Sequence, residues 1–315
     1  MNKKPVIIDT DPGLDDAMAL LMALASNHMD IRGITTTAGN GLVEQHSKNA
    51  MSILEYVGAT RPVYSGANQP ILQARSGAAK IQGKSALGGI NLPKAKKLKV
   101  AKPTAVEFMA KELVGSDKRF RLIALGPLTN LAILLASAPE VKGHIEEIIL
   151  MGGAAVGGNR TPVAEFNIWQ DPEAAHIVFA SGIPIIMCGL DVTRKALLKK
   201  DDLERIDSVG GKAGRLFSEI LKELAIGQKD GVVVHDAVAM ARALKPDLFT
   251  GASHHVAIDL GGTHTRGCTV TDLGKMMGKE ANAEVIFDLD YKGFVDLLVE
   301  SCEVLNKKMG GNKDE

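Results

Sequence analysis

Short apolar runs recur along the chain with helical patterns between them, and this alternation restricts the fold more than any other feature. Val6 to Ile8, Ile31 to Thr37, Leu122 to Leu125, Ile145 to Met151 and Ile183 to Cys188 read as strands. Asp15 to Ala25, Leu128 to Ala136, Pro172 to Ala180 and Lys212 to Leu224 read as helices, several opened by Asp, Thr or Pro. Strands alternating with helices predict a parallel sheet covered by helices, that is, an α/β fold. No linker-like shift in composition divides the chain, so one doubly wound domain is expected over residues 1–308, with a disordered tail at 309–315. Asn68 to Lys102, rich in Gly, Ser, Ala, Gln and Lys, reads as an extended loop of the kind that often serves as a lid. Val256 to Asp259, Thr269 to Thr271 and Val285 to Asp288 read as late strands before a last helix, Lys292 to Asn306.

Charge narrows the partners. Lys plus Arg (37) equal Asp plus Glu (37), so no strong field recruits nucleic acid or an anionic membrane, and a small neutral substrate suits the balance. The basic stretch Lys94 to Lys102 carries no aromatic residue for base stacking and reads as a solvated loop. Cys188, Cys268 and Cys302 are widely spaced and have neither disulfide-framework nor zinc spacing, which fits a reducing compartment. The first strand begins almost at once and no apolar run is long enough to span a bilayer. A cytoplasmic protein is expected.

The first strand runs into DTDPGLDD at residues 9–16, so Asp9, Asp11, Asp15 and Asp16 crowd its carboxyl end, where open α/β sheets bind ligands. Four carboxylates so close repel one another unless positive charge sits among them. A hard, oxygen-seeking cation is one answer. The other is that Asp15 or Asp16 merely caps the following helix. No GxGxxG or GxxxxGK pattern accompanies the turn, and the acids would repel a phosphate.

DTDPGLDD resembles the opening signature of the inosine-uridine nucleoside hydrolases. The resemblance continues in family order through TTTAGN (35–40), ALGPLTNLA (124–132), MGGAAVGGNRTPVAEFNIWQDPEAA (151–175), MCGLDVT (187–193) and VHDAVA (234–239). The central segments look closest to the bacterial non-specific ribonucleoside hydrolases. The resemblance implies a Rossmann-like open, mostly parallel sheet with helices on both faces. It also implies calcium-dependent hydrolysis of purine and pyrimidine ribonucleosides to ribose and free base, in salvage or catabolism. It carries over a calcium ion held by Asp11, Asp16, the Leu125 carbonyl and Asp236, with Asp11 as catalytic base. Asp15, Asn40, Met151, Asn159, Glu165 and Asn167 match positions that hold the ribose. His235 matches a candidate proton donor to a purine, and Phe166 a residue that stacks on the base or packs in the core. Relatives form dimers or tetramers, so a homodimer or homotetramer is expected.

Those assignments suit the chemistry. Carboxylates and carbonyls make a loose calcium shell with room for water and two ribose hydroxyls, acids and amides pair with hydroxyls that both donate and accept, and histidine titrates near neutrality. The chain departs from the pattern at QGKSALGG (82–89), where many relatives carry a histidine and Gln82 stands here, and at Glu219 to Val234, which lacks the tyrosines some relatives place near the base. Lys222, Gln228 and Lys229 are the polar residues left in that stretch. Three rival readings are a sugar kinase, suggested by DLGGTHTRG (259–267), a nucleoside phosphorylase, and a non-catalytic ribonucleoside-binding protein. The glycine-rich turn lies too late in the chain for a kinase, and phosphate would have only Arg160 and Arg194 near the acids.

Overall fold

Val6 and Ile8 face one hydrophobic layer and Ile7, between them, faces the other. A strand buried on both sides needs apolar residues at every position rather than at alternate ones. The computed structural model describes residues 3–73 and 85–311. Among them the strands are β1 (Lys4–Thr10), β2 (Met29–Thr36), β3 (Val63–Ser65), β4 (Phe120–Ala124), β5 (Ile145–Met151), β6 (Ile185–Cys188), β7 (Leu197–Leu198), β8 (Val232–Val233), β9 (Phe249–His254), β10 (Val256–Ile258), β11 (Thr269–Thr271) and β12 (Ala283–Leu289). Eight of these form one sheet in the order β3-β2-β1-β4-β5-β6-β12-β9, parallel throughout except for β9 against β12. The chain moves outward from β1 through β2 to β3 and then returns to β4 on the other side of β1. That reversal opens a crevice at the carboxyl ends of β1 and β4, where the acidic turn lies.

The helices are α1 (Leu14–Ala25), α2 (Val43–Tyr56), α3 (Ala105–Val114), α4 (Thr129–Ser137), α5 (Phe166–Gln170), α6 (Pro172–Phe179), α7 (Leu190–Thr193), α8 (Lys200–Ser208), α9 (Gly211–Leu224), α10 (His235–Leu244) and α11 (Tyr291–Gly311). One face of the sheet is covered by α1, α2, α9, α10 and α11, and the other by α3, α4 and α6. The expected open sheet with helices on both faces is what the chain forms. Helix α1 is apolar on nearly every side because it packs against α10 and α11 as well as the sheet. Burying Leu20, Leu21 and Met22 stabilises the fold by about 1.5–3 kcal/mol per side chain.

Two details differ from the sequence expectation. Strands β10 and β11 leave the central sheet and pair only with each other, while β12 enters it between β6 and β9. DLGGTHTRG is the turn of that hairpin: Asp259 Oδ1 accepts from the Gly261 and Gly262 amides at 2.9 and 2.8 Å, and Arg266 pairs with Glu173. The last helix runs from Tyr291 to Gly311, beyond both Asn306 and the expected domain end at 308. Lys308 Nζ fastens it by donating to the Leu24 and Ala25 carbonyls at 3.0 and 2.9 Å, satisfying the end of α1. The rest of the expected tail, 312–315, lies outside the described residues.

The long segment from Asn68 to Lys102 has neither helix nor extended strand where it is described, apart from a single bridge between Val100 and Val63. It is pinned at both ends. Ile71 N donates to Asp171, and Gln73 Nε2 to the Trp169 carbonyl. Farther on, Gly89 N donates to Glu223, and Glu55 accepts from the amides of Lys96, Lys97 and Leu98. Gln82 lies outside the described residues.

Candidate active site

The turn after β1 is built around buried carboxylates whose oxygens accept from nearby donors. Asp16 Oδ1 accepts from Thr10 Oγ1 at 2.5 Å and from the Asp11 amide at 3.1 Å, and its Oδ2 accepts from the Gly13 amide at 3.0 Å. Asp16 therefore caps α1, one of the two roles that the sequence left open, and its carboxylate also lies beside those of Asp15 and Asp236. Asp11 Oδ2 accepts from the Asn40 amide at 2.6 Å, and Asn40 Nδ2 donates back to the Asp11 carbonyl at 3.2 Å and to Asp16 Oδ2 at 3.3 Å. Below them, Asp9 Oδ1 accepts from Thr35 Oγ1 at 2.5 Å and Asn130 Nδ2 at 2.7 Å.

A cavity of about 460 Å³ opens above this turn, lined by Asp15, Asn40, Leu125, Met151, Asn159, Arg160, Glu165, Phe166, Asn167, Gln228, His235 and Asp236. Ten of these are the candidate site residues of the sequence, and Arg160 and Gln228 complete the lining. Lys222, by contrast, pairs with Asp207. Asp11 and Asp16 are buried and lie behind this lining, bonded to Asn40, which is part of it. Carboxylate oxygens of Asp15, Asp16 and Asp236 all lie within 4.8 Å of one another, close enough to hold one metal ion. Of the acids expected to hold the ion, Asp16 and Asp236 belong to this group; Asp15, expected at the ribose, joins them, whereas Asp11 does not, staying within their electrostatic reach while its Oδ2 is engaged by Asn40. The Leu125 carbonyl accepts from Asn167 Nδ2 at 2.9 Å, and the same amide donates to the Met151 carbonyl at 3.0 Å. Glu165 Oε2 accepts from the Gly153 and Asn167 amides at 3.0 and 2.9 Å, and Asn159 Oδ1 from the Phe166 amide at 2.9 Å.

Burial raises the pKa of Asp11 and Asp236 well above the carboxylate range, and repulsion by Asp16 for Asp11, and by Asp15, Asp16 and Asp11 for Asp236, adds to it. Asp15 and Asp16 are shifted upward too, chiefly by burial. A divalent cation would reverse both causes, and an all-oxygen donor set of this kind suits a hard ion. Burial pushes Asp9 and Glu165 up to about 7. His235 moves the other way: burial and then the Arg194 guanidinium hold its imidazole down at about 4. Its Nδ1 lies 2.8 Å from Thr193 Oγ1.

Two glycines that were visible only as parts of longer motifs prove essential to the geometry. A Cβ on Gly39 would lie 2.2 Å from Asp11 Oδ2, and one on Gly126 would lie 2.3 Å from Asp11 Oδ1. Both sit just past strand ends, where an apolar run followed by Gly is the available sequence signal.

A sequence model of the inosine-uridine preferring nucleoside hydrolase family matches residues 6–296. The chain is 42% identical over 311 residues to a protein of Shewanella woodyi named pyrimidine-specific ribonucleoside hydrolase RihA, covering 96% of this chain and 99% of that one. A protein of the same name from Photobacterium profundum is 43% identical over 304 residues, covering 94% and 98%. The solved structure of a purine-preferring ribonucleoside hydrolase from Gardnerella vaginalis superposes with a TM-score of 0.89 at 32% identity, covering 96% of this chain and 99% of that one. An acidic crevice at the β1 switch point, a polar cavity above it and these matches lead to one conclusion: the chain belongs to the inosine-uridine preferring nucleoside hydrolase family and is a ribonucleoside N-glycosidase.

Proposed function

We propose that the protein hydrolyses both pyrimidine and purine ribonucleosides to ribose and free base, with pyrimidines preferred, and that it depends on calcium. The observation that carries this reading is the convergence of Asp15, Asp16 and Asp236 beside a cavity whose walls are amides and carboxylates. Asp11, Asp16, Asp236 and the Leu125 carbonyl would hold the ion. When bound, calcium supplies positive charge that acidifies water and grips vicinal hydroxyls. Asp11 takes the proton of the attacking water, while Asn40, which donates to both Asp11 and Asp16, keeps the two carboxylates apart and aimed. Asp15, Asn159, Glu165 and Asn167, with the Met151 backbone, hold the ribose hydroxyls, and Phe166 forms the wall against the base. Hydrolysis through an oxocarbenium-like transition state needs water activated on one face and the base assisted on the other.

His235 sits on the base side. With its imidazole held down at about 4 it is neutral near pH 7 and assists as a hydrogen-bond donor rather than as an imidazolium. A purine leaving group gains most from full protonation, so this disfavours purines and agrees with similarity to relatives named pyrimidine-specific. The protein acts in nucleoside salvage or catabolism in the cytoplasm, as a homo-oligomer; among the described residues no helix is long and apolar enough to cross a membrane.

The test is reducing-sugar release from uridine, cytidine, inosine and adenosine, with and without a calcium chelator and without phosphate. Turnover of all four, fastest on uridine and cytidine and lost on chelation until calcium is restored, is expected. Faster turnover of inosine would overturn the preference, undiminished turnover in chelator would overturn the metal requirement, and base release only with phosphate present would identify a phosphorylase.

A further inference from the structure

The segment Asp191-Val192-Thr193-Arg194 touches two separate parts of the site without lining the cavity. The Asp191 carboxylate accepts from the amides of Ala155 and Val156 at 2.7 and 3.1 Å, gripping the start of the loop that carries Asn159. Arg194 Nη2 donates to the Gly158 carbonyl of that loop at 2.6 Å. Thr193, fully buried, places its hydroxyl 2.8 Å from His235 Nδ1. Helix α7 is short and held from outside: its first amide, that of Leu190, donates to the Gly153 carbonyl at 2.9 Å. A Cβ on Gly189 would lie 2.6 Å from that carbonyl oxygen, so the two backbones are in direct contact.

We propose that Asp191, Thr193 and Arg194 are positioning residues that divide the work of the site between them. Asp191 and Arg194 fix the stretch of the sugar-binding loop that leads into Asn159, so they govern how tightly ribose is held. Thr193 fixes the plane of the His235 ring and leaves Nε2 to face the departing base, so it governs leaving-group assistance. This assignment rests on the role given to His235 and Asn159 in the proposed hydrolysis.

The two effects separate kinetically, because a leaving group that departs unaided makes His235 irrelevant. Uridine needs assistance at its base, whereas p-nitrophenyl β-D-ribofuranoside releases an already stable anion. Thr193→Val, close in shape to the native residue, is expected to lower kcat on uridine about ten-fold while leaving p-nitrophenyl riboside within about two-fold, and Thr193→Ser is expected to restore uridine turnover. Asp191→Asn and Arg194→Met are expected to raise KM about five-fold on both substrates, with smaller effects on kcat. Measuring His235→Ala alongside keeps the two readings apart. If His235→Ala discriminates between the substrates and Thr193→Val slows both equally or neither, the positioning assignment is overturned alone. If His235→Ala slows both alike, the leaving-group reading falls and takes the Thr193 assignment with it. KM unchanged in both Asp191→Asn and Arg194→Met would overturn their assignment to the sugar loop.

Discussion

At Gly39 and Gly126 the site tolerates no side chain, because each added Cβ would meet a different oxygen of the Asp11 carboxylate at 2.2 and 2.3 Å. No ordinary contact is that short, so either the backbone or Asp11 must move. Asp11 is the softer partner, and moving it breaks its bond from the Asn40 amide. Gly39→Ala is therefore expected to reduce kcat on uridine by about a hundred-fold or more, the cost of misplacing a reacting group by an ångström. The fold, measured by far-ultraviolet circular dichroism, should be retained. A variant with near-native kcat would show that the carboxylate need not hold this position. At this scale the acids themselves were legible in the sequence, since four aspartates in eight residues after an apolar strand are hard to place otherwise. The glycines were not legible as site residues, because a tight turn and a carboxylate cradle call for the same residue type.

Among the elements, α2 shows why a helix can escape notice. Its buried face includes His46, Ser47, Asn49 and Ser52, so the apolar period that announces a helix is interrupted. Those polar groups are buried because they hold loops of the site. His46 Nδ1 meets the Thr37 carbonyl at 2.6 Å, Ser47 Oγ meets Thr36 Oγ1 at 2.7 Å, and Asn49 Nδ2 donates to the Pro12 carbonyl at 2.8 Å. Asn130, at the start of α4, does the same for strand ends. Its Nδ2 donates to Asp9 Oδ1 and to the Thr36 carbonyl at 3.0 Å, while its Oδ1 accepts from the Ala67 amide at 2.8 Å. One amide thus links the carboxyl ends of β1 and β2 to the chain leaving β3. Asn130→Ala removes all three bonds at once, leaving the Ala67 amide without its acceptor while Asp9 Oδ1 keeps Thr35 and the Thr36 carbonyl keeps the Gly66 amide, and is expected to destabilise the protein by about 1–3 kcal/mol. Urea unfolding followed by tryptophan fluorescence would measure this through Trp169, and a loss below about 0.5 kcal/mol would contradict the role.

For the molecule as a whole, the concentration of buried acids makes stability depend on pH in the opposite sense to that of ordinary surface carboxylates. Asp9 is held at about 7 by burial, well above its unfolded value near 4. Its contribution to stability is complete below about pH 4 and is lost as pH rises toward 7, because over that range the unfolded carboxyl ionises while burial keeps the folded one protonated. In the presence of a metal chelator, Asp9→Asn should gain stability relative to the unaltered protein across that window, as read by melting temperature at each pH; a constant difference would show that Asp9 does not titrate there. The sequence by itself determined the alternation of strands and helices, the acidic turn at the end of β1 and the order of the motifs, because each is written in local periodicity and in neighbouring residues. Only the tertiary structure decided that Asp15, rather than Asp11, gathers with Asp16 and Asp236, that Gly39 and Gly126 close on Asp11, and that Thr193 meets His235. Those contacts are set by the side-by-side register of parallel strands, whose loops gather at one edge however far apart they lie along the chain.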